Sequence, residues 1–161
     1  MPLGSARSLE RTLLQSNNGT PDVKITYYED LSVGQEASMS KTVTEADIVA
    51  FADVSGDKNP VHLDADYAST TLFKERIAHG MLSASFISAI FGMKLPGPGS
   101  VYVSQSLAFK APVKIGDTVV ATAKILELME KRRVRFETVC AVDGKPVLTG
   151  EAVLMVPGRP A

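Results

Sequence analysis

Hydrophobic and polar positions divide the chain into a polar start, a helical middle and a strand-rich end. Residues 1–24 are rich in Ser, Asn, Gly and Pro, as in Gln15-Ser-Asn-Asn-Gly-Thr-Pro21, and read as a mobile extension with at most a short helix at Leu9–Leu14. Patterning begins near Ile25, and a single domain is expected over 25–157, with 158–161 as a tail. Glu36–Val43 reads as a short strand. Thr44, with Asp47 three residues on, is a capping signal for a helix whose apolar face is Ile48, Phe51, Ala52 and Ser55. Gly56 ends that helix. Asn59 before Pro60 disfavours the α conformation, so Ser55–His62 is expected to be an extended turn. Asp64 can then cap a short helix over Ala65–Thr70.

Met81 to Met93 runs thirteen residues without a charge. Met81, Leu82, Ala84, Phe86, Ile87, Ala89, Ile90 and Phe91 make it apolar on nearly every side, which predicts a helix buried all round. Gly92 and Pro96-Gly97-Pro98-Gly99 break it. Four strands are expected after Gly99: Val101–Lys110, Thr118–Leu128, Arg133–Val142 and Pro146–Val156, with Asp143-Gly144 as a hairpin turn. The economical architecture is a curved antiparallel sheet wrapped around one buried helix, an α+β fold. One layer of sheet cannot cover such a helix completely, so dimerisation is expected.

Composition adds exclusions. The 161 residues carry a formal net charge of −1, with 45% apolar and 22% charged residues, so neither a nucleic-acid nor an anionic-membrane partner is indicated. No stretch reaches the ~18 apolar residues of a membrane span. The lone cysteine, Cys140, sits in a Val/Thr/Phe-rich run and reads as a small buried residue. Two histidines without metal-ligand spacing suggest no metal site, and a reduced, cytoplasmic setting fits the cysteine usage.

Candidate chemistry centres on Ser55-Gly-Asp-Lys-Asn-Pro-Val-His62. Asp57 and His62, five positions apart, suit general acid/base work on a shared water. Equally, Asp57 suits a turn cap and His62 a bond to a main-chain carbonyl. Asn59 suits a turn former or a substrate contact. Gly80 opens the apolar helix, where unpaired N–H groups at the positive helix end can stabilise a developing oxyanion. His79 suits packing or capping of this turn. Ser88, two turns on, can steady Asp57 or His62, or bond back to Ala84.

Together with Ile77-Ala-His-Gly-Met-Leu82, Leu95-Pro-Gly-Pro-Gly-Ser-Val-Tyr102 and Ser106-Leu-Ala-Phe-Lys-Ala-Pro112, this segment resembles the MaoC-like, (R)-specific enoyl-CoA hydratases over about Leu31 to Pro157. The resemblance implies a hot-dog fold, a homodimer, an acyl-CoA thioester substrate and no cofactor. It implies hydration of a trans-2-enoyl-CoA to an (R)-3-hydroxyacyl-CoA, a product that could serve polyhydroxyalkanoate or fatty acid metabolism. Asp57 would take the water proton and His62 would donate to the α-carbon. The Gly80 N–H would hold the thioester carbonyl, Ser88 would orient the pair, and Asn59 would support the loop. Phe91, at a tunnel position, would favour short acyl chains. Lys74, Arg76 or Lys110 could meet the CoA phosphates. The alternatives are a 3-hydroxyacyl-carrier-protein dehydratase, a non-catalytic acyl-CoA-binding module and, more remotely, a thioesterase.

Overall fold

The computed structural model describes residues 23–161. The expected extension and its helix at Leu9–Leu14 lie outside these residues, apart from Val23 and Lys24. A 3-10 turn at Tyr28–Asp30 precedes β1 (Glu36–Thr42). Three helices follow: α1 (Glu45–Ser55), α2 (Pro60–Leu63) and α3 (Ala65–Thr70). Then come α4 (Gly80–Met93) and the strands β2 (Val101–Gln105), β3 (Ala108–Phe109), β4 (Thr118–Met129), β5 (Arg133–Val142) and β6 (Lys145–Met155).

One antiparallel sheet runs in the order β1-β4-β5-β6-β2, and β3 also pairs with β6. Its hairpins follow from local chemistry. Asp143 and Gly144 both take positive φ, 49° and 75°, as a two-residue turn between right-twisted strands requires. Register shifts at Ile125/Glu127, Cys140/Ala141 and Tyr102/Ser104 mark bulges, which bend the strands that carry them.

α4 lies against the sheet, mainly on β4. Along β4 the residues Val119, Ala121, Ala123 and Ile125 are fully buried while their neighbours face out, and the small Ala121 and Ala123 leave room for the helix. Phe86, Ile87, Ile90 and Phe91 fill the space between helix and strands together with Phe136, Leu148 and Leu154. A curved antiparallel sheet around a central helix is the hot-dog fold. Among the described residues, no helix is long and apolar enough to cross a membrane.

Four expectations change. First, α4 is not buried all round: Met81, Ser85, Ser88 and Gly92 form an exposed stripe, because a single sheet covers only one side of a helix. Second, Val101–Lys110 is not one alternating strand. It breaks after Gln105 into β2 and β3, and Val101, Val103 and Phe109 are exposed, because β2 is the last strand of the sheet. The break seats the Ser106 main chain on Gly150 of β6. Third, Pro60–Leu63 is a helical turn rather than extended chain. Asn59 is non-helical (φ −55°, ψ 127°), and Pro60 takes the first helical position, where its fixed φ suits a helix start. Fourth, the expected tail is held: the Arg159 N–H donates to Glu29 Oε2 at 2.9 Å, and its guanidinium pairs with Asp30 above the Tyr27 ring.

A Cβ on Gly150 would collide with the Ser106 carbonyl oxygen. That oxygen cannot yield easily, since Ser106 is tied to Glu151 through its N–H (2.8 Å) and its Oγ (2.9 Å). Gly150→Ala should therefore destabilise by about 1–3 kcal/mol or more, read as a lower urea midpoint at unchanged m. An unchanged midpoint would contradict this packing.

Candidate active site

The site is assembled where α1, α2 and α4 meet. The α1 N-terminus has the expected reciprocal box: Thr44 Oγ1 accepts the Asp47 N–H (3.2 Å) and Asp47 accepts the Thr44 N–H (2.9 Å). Its C-terminus ends at Gly56 in the left-handed conformation, φ 79°. This reversal delivers Asp57 at the mouth of a short loop. The Asp57 N–H donates to Ser55 Oγ, Asp57 Oδ1 accepts the Asn59 N–H at 3.1 Å, and Asn59 Oδ1 caps α2 through the Val61 N–H at 3.2 Å.

His62, 8% exposed, is held by one strong bond: Nδ1–H donates to the Ile77 carbonyl at 2.7 Å. A carbonyl can only accept, so in the neutral ring the proton resides on Nδ1 and Nε2 presents a lone pair. That Nε2 stands 4.0 Å from Asp57 Oδ2. The gap is too long for a direct hydrogen bond and suits one water bridging both atoms. The two possibilities read from the sequence are thus not exclusive. Asp57 stabilises a turn with one oxygen and His62 bonds a carbonyl with one nitrogen, which leaves the second atom of each for chemistry. Burial, reinforced by the neighbouring His79, pulls the His62 imidazole below its ordinary value, against the opposing pull of the Ile77 carbonyl and the Asp57 carboxylate.

His79 is the residue at the N-cap of α4, as the capping expectation had it, though its side chain makes no capping bond. Its ring stacks on His62 with centroids 3.8 Å apart, and Nε2–H donates to the Asp57 main-chain carbonyl at 2.9 Å. Next to it the Gly80 N–H has no hydrogen-bond acceptor among the described residues, at the positive end of a 14-residue helix. The lack of a side chain is enforced there: a Cβ would fall 2.5 Å from the ring of Phe109.

His79, Gly80 and Phe109 wall a groove of about 440 Å³. Its other walls include Phe73, Ile77, Met81, Val113 and Leu148, and among the described residues Lys110 is the one Lys or Arg that lines it. Asp57 and His62 are not among its walls. Ser83, 3% exposed, does line it, and its Oγ has no hydrogen-bond partner among the described residues.

The structure thus brings Asp57, His62 and the residue before Gly80 together. Asn59 shapes the loop by its cap. Ser88 is exposed and has no hydrogen bond to Asp57 or His62 within the chain. Phe91 is in the core, edge-on to Tyr102 and Phe136, and is not among the groove walls. Arg76 is committed to the His62 carbonyl (2.7 Å) and to Glu45. Sequence reasoning missed Ser83 and Phe109. Ser83 follows His79 by four positions on the side of α4 that the sheet buries, a side the sequence does not mark. Phe109 reaches Gly80 from a distant strand and leaves no local signal.

Donor atoms of Asp57, His62 and His79 lie within 4.8 Å of one another. Ligands of a tetrahedral zinc stand roughly 3.3 Å apart. His62 Nδ1 and His79 Nε2 are taken by carbonyls, and His79 Nδ1 is sealed from solvent. The geometry suits water held between acid/base groups better than a metal ion.

Residues 31–151 match the family model described as "MaoC like domain". The chain belongs to the MaoC-like domain family. This MaoC-like chain is 58% identical over 139 residues to the (R)-specific enoyl-CoA hydratase of Rhodospirillum rubrum, covering 86% of this chain and 96% of that protein. It is 46% identical to the 3-hydroxybutyryl-CoA dehydratase of Methylorubrum extorquens, covering 86% and 89%. Among solved structures it is similar to unliganded R-hydratase PhaJ1 from Pseudomonas aeruginosa, with TM-score 0.81 and 50% identity over 85% of this chain and 89% of that one.

His62 should titrate below the ordinary 6.5 of histidine in an NMR pH titration. Because the folded-state value is depressed, its neutral form contributes stability above the unfolded value, and that contribution is lost as pH falls through the folded one. A midpoint at or above 6.5 would remove burial as the controlling influence.

Proposed function

We propose that the protein hydrates trans-2-enoyl-CoA to (R)-3-hydroxyacyl-CoA, as a hydro-lyase acting reversibly. The observation that carries this reading is the pairing of Asp57 Oδ2 and His62 Nε2 at 4.0 Å, a water's width, in a chain so similar to named (R)-specific hydratases. Short acyl chains are the preferred substrates, a preference supported by the relative named for 3-hydroxybutyryl-CoA. A cytoplasmic location accords with the free, buried Cys140.

The chemistry needs a base for water, an acid for the α-carbon and a donor for the thioester oxygen. The resemblance assigns the base to Asp57 and the acid to His62. The Nδ1–H bond to Ile77 and the burial of His62 favour a neutral ring with a bare Nε2, so we assign the first proton transfer to His62. As the water oxygen bonds to C3, Nε2 takes its proton, and Asp57 Oδ2 holds the second hydrogen and balances the imidazolium. The electron pair of the C2–C3 double bond moves onto the thioester carbonyl. The Gly80 N–H stabilises the resulting enolate oxygen, a contribution that is large in a water-poor site. Nε2–H then protonates C2, and the ring returns to its starting state. Asn59 serves by keeping the loop capped. Ser88 is exposed on the open face of α4, so in this reading it would act across a subunit boundary rather than within one chain.

A homodimer completes this reading. Its support is the exposed stripe of α4 and the exposed Val101, Tyr102 and Val103 of β2, which a second copy would cover. Light-scattering mass of the purified protein should correspond to two chains, and a monomer mass at micromolar concentration would remove it.

Purified protein mixed with crotonyl-CoA should deplete the enoyl absorbance, with (R)-3-hydroxybutyryl-CoA as product, and Asp57→Asn should lower kcat by about 10²–10⁴-fold. Its kcat/KM should fall as pH drops, because protonated His62 cannot take the water proton, with the midpoint below 6.5. No turnover by the wild type would sink the hydratase reading. Activity that instead falls as pH rises through this range would return the base role to Asp57.

A further inference from the structure

Asp57 and His62 both touch one side chain that the mechanism leaves unused. His79 is 3% exposed, and three contacts surround its ring. Nε2–H donates to the Asp57 carbonyl at 2.9 Å, His62 stacks on one face at 3.8 Å and 28°, and Phe51 tilts against it at 4.9 Å. Its own main chain leads directly into Gly80.

The bond to Asp57 matters because the other anchors of that residue are local. Its N–H rests on Ser55 Oγ at 3.2 Å and its Oδ1 receives the Asn59 N–H at 3.1 Å. Among the described residues, the His79 bond is the one hydrogen bond that reaches Asp57 from outside Ser55–Asn59. Without it, the carboxylate would depend on a five-residue loop that is exposed throughout.

We propose that His79 is a positioning residue: its Nε2–H clamps the Asp57 loop to the start of α4 while its ring backs His62, so that carboxylate, imidazole and Gly80 N–H keep one spacing. The charged and titratable groups facing His62 are few. Asp57 comes from the loop and His79 from α4. Arg76 donates to the His62 carbonyl and is itself paired with Glu45 of α1. The kinetic consequence rests on the hydratase reading, whereas the clamp itself does not.

Two variants separate clamp from stacking. His79→Phe keeps a ring against His62 and loses the donor. His79→Gln loses the ring and keeps an amide donor of similar reach. With crotonyl-CoA, His79→Phe should lose at least about tenfold in kcat with KM within about twofold, and His79→Gln should recover most of that loss. The chain has two histidines, so either variant leaves His62 as the sole imidazole to follow by NMR. In the wild type, without substrate, one ring should carry its proton on Nδ1 (His62) and the other on Nε2 (His79). Amide exchange at Asp57–Asn59 should accelerate in His79→Phe and not in His79→Gln.

A His79 ring protonated on Nδ1, or loop exchange equal in both variants, overturns the clamp whether or not any turnover is seen. Wild-type kcat in His79→Phe, with urea midpoints showing both variants folded, overturns the positioning role. Absence of wild-type turnover condemns the hydratase reading alone, and the exchange and tautomer measurements still decide on His79.

Discussion

One antiparallel sheet has to bury a 14-residue apolar helix, and it can do so on one side only. Most of the structure answers to that constraint. β4, the strand against which α4 mainly packs, supplies the small buried Ala121 and Ala123, and Phe86, Ile87, Ile90 and Phe91 join the same core. The bulges in β4 and β6 accompany the curvature that lets one sheet reach around a cylinder. The fully buried side of α4 contributes core. Beyond Met81 its open stripe is small and weakly polar (Ser85, Ser88, Gly92), a surface suited to close approach by another backbone.

The same constraint makes a site. A helix pinned along its length has a fixed first turn, so the Gly80 N–H is held in place. The residues that precede it, Ile77 to His79, serve as an anchoring strip for the helical segment before them. The Ile77 carbonyl fixes the tautomer of His62, the His79 ring lies flat against it, and the His79 Nε2–H takes the Asp57 carbonyl. Each functional side chain spends one polar atom on structure and keeps one free. Order and reactivity are therefore not in competition here: the bond that buries and orients the His62 ring also decides which of its nitrogens faces the carboxylate.

Much of this was legible beforehand, wherever the cause is local. The Thr44/Asp47 box, Gly56, the Asp64 cap and the Asp143-Gly144 turn are short-range hydrogen bonding and backbone preference, and each appears at its expected position. Pro60 shows where local reasoning slipped: the restriction it imposes falls on Asn59, and the proline itself starts a helical turn. Properties set by long-range neighbours were not readable. Val101–Lys110 alternates in sequence, but an edge position and the Ser106–Gly150 approach split it. Ser88 and Ser83 look alike in an apolar helix, and only the placement of the sheet decides that Ser83 is the buried one. Asp57, His62 and Gly80 were singled out in the sequence and lie near one another in the fold, whereas the linking role proposed for His79 depends on a stacking geometry that no spacing encodes.

The two-ended hold of His79, on the Asp57 main chain and on the turn that starts α4, carries a stereochemical implication. A flat enoyl unit has two faces, and an achiral site would not distinguish them. In the proposed mechanism the Gly80 N–H would fix the oxygen end and Asp57 and His62 the water, and one imidazole, that of His79, joins the two supports. A plane pinned at one edge, with its nucleophile fixed on one side, can be approached from that side alone. On that reading, handedness in the product would depend on the rigidity of a three-residue stretch, Ile77-Ala78-His79.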